Sequence, residues 1–260
     1  MKRYVKKITA SILTAILVTS IVMPAFAADI QNEPVTLSEE IIISLTTEDF
    51  ADCYEYLVEY KQIYPTITTA ELDMVATAKL VELAQETEND IMQPYGYKDD
   101  LVEAYNNLNT QELVLAAAYP TEASAIYYAS KIANSESRSR YWAGNYLGNG
   151  DAFRHTAWNA LSVRTLYNIG IGDLDTCISK TKAWTDAHEY GATEEATLSA
   201  SQRNVDTNMD LSNNSTGRTI GRLYSTEAQI LERTQYYVDN GYCKRIKTDA
   251  QIEYELDEEY

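Results

Sequence analysis

Apolar residues recur at helical spacing along most of the chain. Leu72, Val75, Ala76, Leu80 and Leu83 follow the i, i+3, i+4 pattern of a helix with one buried face. No stretch alternates apolar and polar residues strongly enough to predict a strand. The pattern therefore predicts an all-α fold, which we expect to be a multi-helix globular domain with a polar cleft between glycine-bounded helices.

Residue pairs that begin helices precede two of the apolar runs. Thr68 with Glu71, and Asn109 with Glu112, have the spacing of a capping box, in which two side chains satisfy the first amide groups of a helix. Pro120 follows the second run and ends it, because proline has no amide hydrogen to donate within a helix. Both segments are therefore predicted to be helices with defined starts.

Glycines divide the second half of the chain. Gly148 precedes a segment that holds one of the two histidines, Gly170 separates it from the other histidine segment, and Gly191 follows that second segment. Glycine is common at helix ends, where it adopts backbone angles that other residues avoid. We therefore expect helices over about 151–168 and 174–190.

The run RNVDTNMDLSNNSTGR, residues 203–218, is rich in residues that favour turns. We predict a polar loop there, followed by a third helix over about 216–238. Oxygen-bearing side chains alternate in this run as they do in a calcium loop. However, Leu211 stands where an EF-hand requires glycine and Gly217 where it requires glutamate, so the run does not match the EF-hand pattern.

The first residues have the composition of an export signal. Basic residues are followed by an apolar run and by Ala25-Phe26-Ala27, a small-x-small pattern that signal peptidase recognises. We therefore expect a secreted or cell-surface associated protein with no membrane span once the signal is removed. The predicted parts are a signal peptide (1–27), an acidic helical N-terminal region (28–104), a helical motif-bearing domain (105–240) and an acidic C-terminal tail (241–260).

The chain is strongly acidic, with 39 Asp and Glu against 21 Lys and Arg and a formal net charge of −18. This charge disfavours nucleic acid as a partner, because phosphate backbones repel an acidic surface. The remaining candidates are an unknown substrate or a cell-surface partner. Semi-buried thiols are a better interpretation than a disulfide framework for the three cysteines, Cys53, Cys177 and Cys243.

Polar side chains share one face of the first histidine helix. If Asp151 opens this helix, Arg154, His155, Trp158 and Asn159 follow it along the same side. A carboxylate one turn before a histidine can fix the tautomer of the imidazole. Asp151 is also a good helix N-cap. One side chain can have both the capping and the orienting role.

The second histidine helix repeats the combination of tryptophan and histidine. His188 lies one turn after Trp184, and Glu189 follows it directly. We expect His155, His188 and Asp210 to converge on one cleft. There they would either share a divalent metal ion, for which these three are the candidate ligands, or act as an acid–base pair.

Two functions fit these residues. The first is a hydrolase whose site, with or without a divalent metal, has catalytic residues His155, His188, Glu189, Asp210 and Arg154. In this hypothesis Asp151 orients the site, and the residues expected to bind substrate are Arg218, Asn159, Asn213, Asn214, Trp158 and Trp184. The second is a non-catalytic cell-surface binding or structural module in which the same side chains form a buried polar network.

Three motifs in order, DAFRHTAWNA, then HE, then MDLSNNSTGR, resemble a family of bacterial exported or cell-surface domains of unknown function. The resemblance covers about residues 105–225. It implies a helical fold and an external location, and it implies no established reaction. The positions that match the family motifs are Asp151, Arg154, His155, Trp158, Asn159, His188, Glu189, Asp210, Asn213, Asn214 and Arg218.

Overall fold

Helices make up most of the part of the chain that this computed structural model describes, residues 37–90, 108–142, 146–191, 199–248 and 250–251. No strand occurs in these ranges, and the prediction of an all-α fold is confirmed. The predicted signal peptide lies outside the described residues. The helices are α1 (Glu39–Ser44), α2 (Thr47–Ile63), α3 (Thr69–Asp90), α4 (Thr110–Ala118), α5 (Pro120–Arg140), α6 (Asn149–Ile169), α7 (Leu174–Gly191), α8 (Ala200–Leu223) and α9 (Glu227–Asp239).

The predicted capping boxes begin α3 and α4. The Thr68 amide donates to Glu71 Oε2 over 2.8 Å, and the Glu71 amide donates to Thr68 Oγ1 over 3.3 Å. Asn109 and Glu112 form the same reciprocal pair at the start of α4. Pro120 is the first residue of α5, so it separates the two helices as predicted.

Helix α6 is the centre of the fold and is buried along almost its whole length. It packs against α5, α7, α8 and α9. Gly148 is its N-cap, and Gly170 ends it with a φ of 85°, a left-handed conformation that costs a residue with a side chain more than it costs glycine. The expected helix over 151–168 is therefore confirmed, with two further residues at its start and one at its end.

The predicted polar loop over 203–218 is wrong, because these residues lie inside α8. Ser199 and Gln202 cap the helix with a box of their own. Asn and Asp side chains favour turns when they bond to nearby backbone. Here Asn213 and Asn214 instead bond to Lys244 and to a residue of α7, so tertiary contacts override the local preference.

The predicted third helix over 216–238 is two helices. Its first residues belong to the end of α8, the chain is extended at Tyr224, and α9 begins at Glu227 behind a capping box formed by Thr226 and Gln229. The residues after α9 return to the centre of the fold. Both Asn213 side-chain groups bond to the Lys244 backbone, with the side-chain amide donating over 2.9 Å and Oδ1 accepting over 2.8 Å.

Two glycines allow α8 to lie directly on α6. A Cβ at Gly217 would overlap the Thr156 carbonyl oxygen, and one at Gly221 would lie 2.6 Å from the Ala160 carbonyl oxygen. Gly217 is in the interior of α8, and Gly221 is in its last turn. They bring the two backbones close enough for short polar side chains to meet between the helices.

The described helices share one apolar core. Phe50 and Leu57 of α2, Ile126 of α5 and Leu166 of α6 are members of it and are fully buried. None of the described helices is long and apolar enough to cross a membrane. The three cysteines are free thiols, as expected, and two of them are buried.

Candidate functional site

His155 lies at the centre of a buried acidic cluster between α6, α7 and α8. The residue is only 2% exposed. Its Nε2 atom lies 3.4 Å from Asp151 Oδ1 and 3.4 Å from Asp210 Oδ1, and its Nδ1 atom lies 3.2 Å from Glu189 Oε1. Each nitrogen of the imidazole therefore faces a carboxylate, and the three carboxylates come from three different helices.

Asp151 orients this cluster from the first turn of α6. The interpretation of Asp151 as the N-cap is wrong, since Gly148 has that position. Asp151 is the third residue of the helix, and its Oδ2 atom accepts a hydrogen bond of 2.7 Å from the Leu147 amide. Its Oδ1 atom accepts one of 2.5 Å from Arg154 Nη2 and faces His155. One carboxylate thus stabilises the start of the helix and contacts both cationic side chains.

A chain of amides connects the cluster to the rest of the three helices. Asn214 Nδ2 donates to Glu189 Oε1 over 2.8 Å, and Asn159 Nδ2 donates to Asn214 Oδ1 over 2.6 Å. Asn159 Oδ1 accepts from Arg218 Nη1 over 2.8 Å and from Thr185 Oγ1 over 3.1 Å. These hydrogen bonds fix the position of Glu189 beside the imidazole.

The electrostatics of the cluster follow from burial and crowding of like charges. Burial raises the pKa of Asp210 to about 8, and the nearby carboxylates of Asp151 and Glu189 contribute to this rise. Burial also opposes the ionisation of Glu189, but the charge of His155 lowers the pKa of Glu189 to about 2. Burial alone would lower the pKa of His155, but the surrounding carboxylates raise it well above its ordinary value.

A group of three side chains in the cluster could hold a metal ion. Donor atoms of Asp151, His155 and Asp210 all lie within 4.8 Å of one another, and all three residues are buried. This group shares His155 and Asp210 with the predicted ligand set of His155, His188 and Asp210. His188 turns its Nδ1 atom to Glu112, and Asp151 takes its place in the group.

Glu112 of α4 holds the second histidine. His188 Nδ1 lies 3.1 Å from Glu112 Oε1, and the Tyr127 hydroxyl donates to the same oxygen over 3.2 Å. The imidazole and the Trp158 ring pack edge to face, with the two ring centroids 5.1 Å apart. The His188 side chain is 36% exposed, whereas Glu112 and Tyr127 are buried. His188 is therefore an anchored imidazole that reaches the surface.

The two histidines belong to adjacent groups, to each of which α7 contributes a side chain. His188 packs on Trp158 and Glu112, and the next residue, Glu189, faces His155. Burial lowers the pKa of His188, but the hydrogen bond and the charge of Glu112 outweigh burial and raise it above its ordinary value. The expected single cleft is thus two neighbouring sites that α7 connects.

The residues predicted to bind substrate are mostly held by other parts of the protein. Trp184 is 1% exposed, and its indole N–H donates to Glu122 Oε2 over 3.2 Å. The Trp158 indole donates to the Ile126 carbonyl over 3.1 Å. Arg218 is buried against Asn159. These contacts are those of a polar network between helices, and the substrate-binding role stays a prediction.

The sequence pattern predicts only a capping role for Glu112 and no role for Tyr127 or Asp206. The capping box uses Glu112 Oε2, which accepts from the Asn109 amide over 3.1 Å and leaves Oε1 for His188. Asp206 is buried one turn before Asp210 and acts electrostatically on the same cluster. The i, i+4 spacing of these two aspartates would place them on one face of a helix. A loop was predicted for this run, however, and in a loop that spacing does not bring two side chains together.

Comparison with known proteins supports the resemblance at the level of the family. The family model of the domain of unknown function DUF6973 matches residues 113–242, which is half of the chain and includes both histidines. No curated protein and no solved structure matches the chain. The prediction of a family without an established reaction is confirmed, and its bacterial and external origin stays a prediction. The chain belongs to the family defined by the domain of unknown function DUF6973.

Proposed function

We propose that the protein is a hydrolase in which His188 transfers the protons and Glu112 orients it. The observation that carries the proposal is the difference in solvent exposure between the His188 and Glu112 side chains. The imidazole is partly exposed, whereas the carboxylate that bonds its Nδ1 atom is buried. A histidine fixed at one nitrogen by a buried carboxylate and open at the other is the arrangement of a general base.

The proposed step is the attack of water on an electrophilic carbon or phosphorus atom of the substrate. With Nδ1 held by Glu112, Nε2 of His188 accepts a proton from the water as its oxygen bonds to the substrate. The bond to the leaving group then breaks, and the protonated imidazole returns the proton to that group. Glu112 keeps the ring oriented and stabilises the imidazolium that forms between the two transfers.

Packing around His188 supports a fixed orientation of the ring. Trp158 contacts the imidazole edge to face. Asn109 Nδ2 donates to the Ala187 carbonyl over 3.0 Å and so holds the backbone of α7 beside α4. A catalytic base in a fixed position loses less entropy when the substrate binds, which is the benefit of preorganisation.

The test is hydrolysis of a panel of phosphodiester, ester, glycan and peptide substrates by wild type, His188→Ala and Glu112→Gln. We expect His188→Ala to lower kcat by about 100-fold or more on the substrate that wild type cleaves, as for removal of a general base. Lys182→Ala is the matched control, because Lys182 is an exposed cation on the same helix and pairs only with Asp186 among the described residues. Loss of activity in the control, or full activity in His188→Ala, would contradict the assignment.

A second candidate function is a non-catalytic module of the cell surface. The observation that favours it is the hydrogen bonding of Asn159, which is buried and uses both its oxygen and its amide group between helices. In this case wild type cleaves no substrate of the panel. Turnover by wild type that folded His188→Ala loses would instead favour the hydrolase.

We also propose that the protein is exported, on the basis of the signal sequence predicted over 1–27. N-terminal sequencing of the protein from the medium or the cell surface tests this. The expected first residue is Ala28, which follows the Ala25-Phe26-Ala27 pattern. A protein that keeps residue 1 and stays in the cytoplasm would contradict the proposal.

A further inference from the structure

The cluster around His155 carries more negative than positive charge. Four carboxyl groups, those of Asp151, Asp206, Asp210 and Glu189, act on the imidazole together with one guanidinium, that of Arg154. All four carboxyl groups belong to buried or nearly buried side chains. Burying several carboxylates together is unfavourable unless a cation or protons compensate their charge.

Oxygen atoms in this cluster also lack hydrogen-bond donors. Asp210 Oδ1 and Asp206 Oδ1 are buried, and neither accepts a hydrogen bond. Asp210 is 7% exposed and Asp206 is 4% exposed. A buried acceptor without a donor costs about 1–3 kcal/mol, and more when it is charged. The atoms that lack donors are therefore oxygens of the kind that divalent cations take as ligands.

We propose that Asp151, His155 and Asp210 bind one divalent cation of the Zn²⁺ or Mn²⁺ type. Bonds of about 2.0–2.2 Å at tetrahedral angles place neighbouring ligand atoms about 3.3–3.6 Å apart. The separations from His155 Nε2 to Asp151 Oδ1 and to Asp210 Oδ1 are both 3.4 Å. Two of the three edges therefore already have the length of a tetrahedral site, and all three donor atoms lie within 4.8 Å of one another.

Glu189 has the position of a side chain that orients a metal ligand. Its Oε1 atom lies 3.2 Å from His155 Nδ1, on the opposite side of the ring from Nε2. A carboxylate at one nitrogen fixes the tautomer in which the other nitrogen can bind the metal. Asn214 in turn donates to the same Glu189 oxygen over 2.8 Å. Glu189 of α7 would then contact His155 of α6 at one nitrogen, and the metal ion would bind the other nitrogen.

The donor set selects among divalent cations. One imidazole nitrogen with two carboxylate oxygens suits Zn²⁺ or Mn²⁺. Ca²⁺ takes six to eight oxygen ligands and rarely takes imidazole, so it fits this group less well. Arg154 donates to Asp151 Oδ1 and reduces the charge that the cation must compensate. The inference concerns binding alone, so it stands or fails separately from the proposed hydrolase.

Isothermal titration of the metal-free protein with Zn²⁺, Mn²⁺, Ca²⁺ and Mg²⁺ tests the site, with elemental analysis for stoichiometry. We expect one Zn²⁺ or Mn²⁺ per chain and weaker binding of Ca²⁺ and Mg²⁺. Loss of an outer partner such as Glu189 typically weakens metal sites about 10–100-fold. Glu189→Gln should fall in that range, and Asp210→Asn should weaken binding at least as much.

Glu122→Gln is the matched control, because Glu122 is a buried carboxylate of the same core that bonds Lys180 and Trp184 and is not part of the cluster. It should keep wild-type affinity even where it lowers stability. Circular dichroism of each variant shows whether it is folded, and Glu189→Gln provides a result if Asp210→Asn does not fold. Absence of stoichiometric binding by wild type would overturn the proposal, as would binding that folded Asp210→Asn or Glu189→Gln leaves unchanged.

Discussion

Gly217 of α8 lies directly against the Thr156 carbonyl oxygen of α6, with no space for a Cβ atom between them. Gly217→Ala must therefore move backbone, not only a side chain. We expect it to destabilise the fold by about 1–3 kcal/mol or more, as overpacking of a core does. The better helix propensity of alanine, worth about 1 kcal/mol, offsets only part of this. Urea denaturation followed by circular dichroism measures the change.

Ser215→Ala is the control for this substitution. Ser215 is an exposed residue of α8 two positions earlier, so the change should alter stability by less than about 0.5 kcal/mol. An equal effect of the two substitutions would mean that the close approach of α6 and α8 does not restrict the size of the side chain at position 217.

The two histidines should differ in their effect on stability. His155→Ala removes a buried imidazole from between three carboxylates, and breaking such a buried pair costs about 3–5 kcal/mol. His188→Ala leaves Glu112 with its bonds from Tyr127 and Asn109, so we expect a loss nearer to about 1 kcal/mol. Thermal unfolding of both variants under one buffer condition compares them. Equal losses would contradict the assignment of His155 to the interior and His188 to the surface.

Stability should depend on pH through the pair of Glu112 and His188. Burial lowers the pKa of His188, but Glu112 raises it above the unfolded value of about 6.5. The folded protein thus binds this proton more tightly than the unfolded chain. The stabilisation is complete below about pH 6.5 and is lost as the pH rises through the raised pKa of the folded state.

Glu112→Gln isolates this effect, since glutamine also completes a capping box and keeps the start of α4. The difference in unfolding free energy between wild type and Glu112→Gln should be larger at about pH 5.5 than at about pH 9. His155 and Glu189, which also act on His188, are the same in both proteins. A difference that does not change with pH would show that the pair contributes no charge interaction.

The effects on stability of substitutions in the network between α6 and α8 should be non-additive. Asn159 accepts from Arg218 over 2.8 Å, and both side chains are buried. We expect Asn159→Ala and Arg218→Ala each to destabilise the fold, and the double variant to lose less than the sum by about 0.5–3 kcal/mol. Denaturation of the four proteins of this cycle gives the coupling energy. A sum that is simply additive would mean that the two side chains act independently.

The sequence predicted elements that depend on local chemistry. Asn109 with Glu112 and Thr68 with Glu71 mark helix starts through bonds within four residues, and Gly170 marks an end through its own backbone angle. Such signals do not depend on the rest of the fold. The fold class and the boundaries of α6 and α7 therefore followed from the sequence.

The errors over 203–218 and at His188 concern residues whose contacts depend on distant partners. Asn213 and Asn214 favour turns in isolation, but their partners, 31 and 25 positions away, place them in a helix. Likewise, the 76 positions between Glu112 and His188 hide their contact from any local pattern. Asp151 took the place of His188 in the candidate metal group for the same reason.

The capping box at the start of α4 gives His188 a further property. Because Glu112 bonds the Asn109 amide through one oxygen and His188 through the other, the first turn of α4 and the imidazole share one carboxylate. Fraying of that turn would release the ring. The nuclear magnetic resonance signal of the His188 ring should therefore show whether the first turn of α4 is formed. On heating, we expect the ring to lose its fixed position at the temperature at which that turn unfolds.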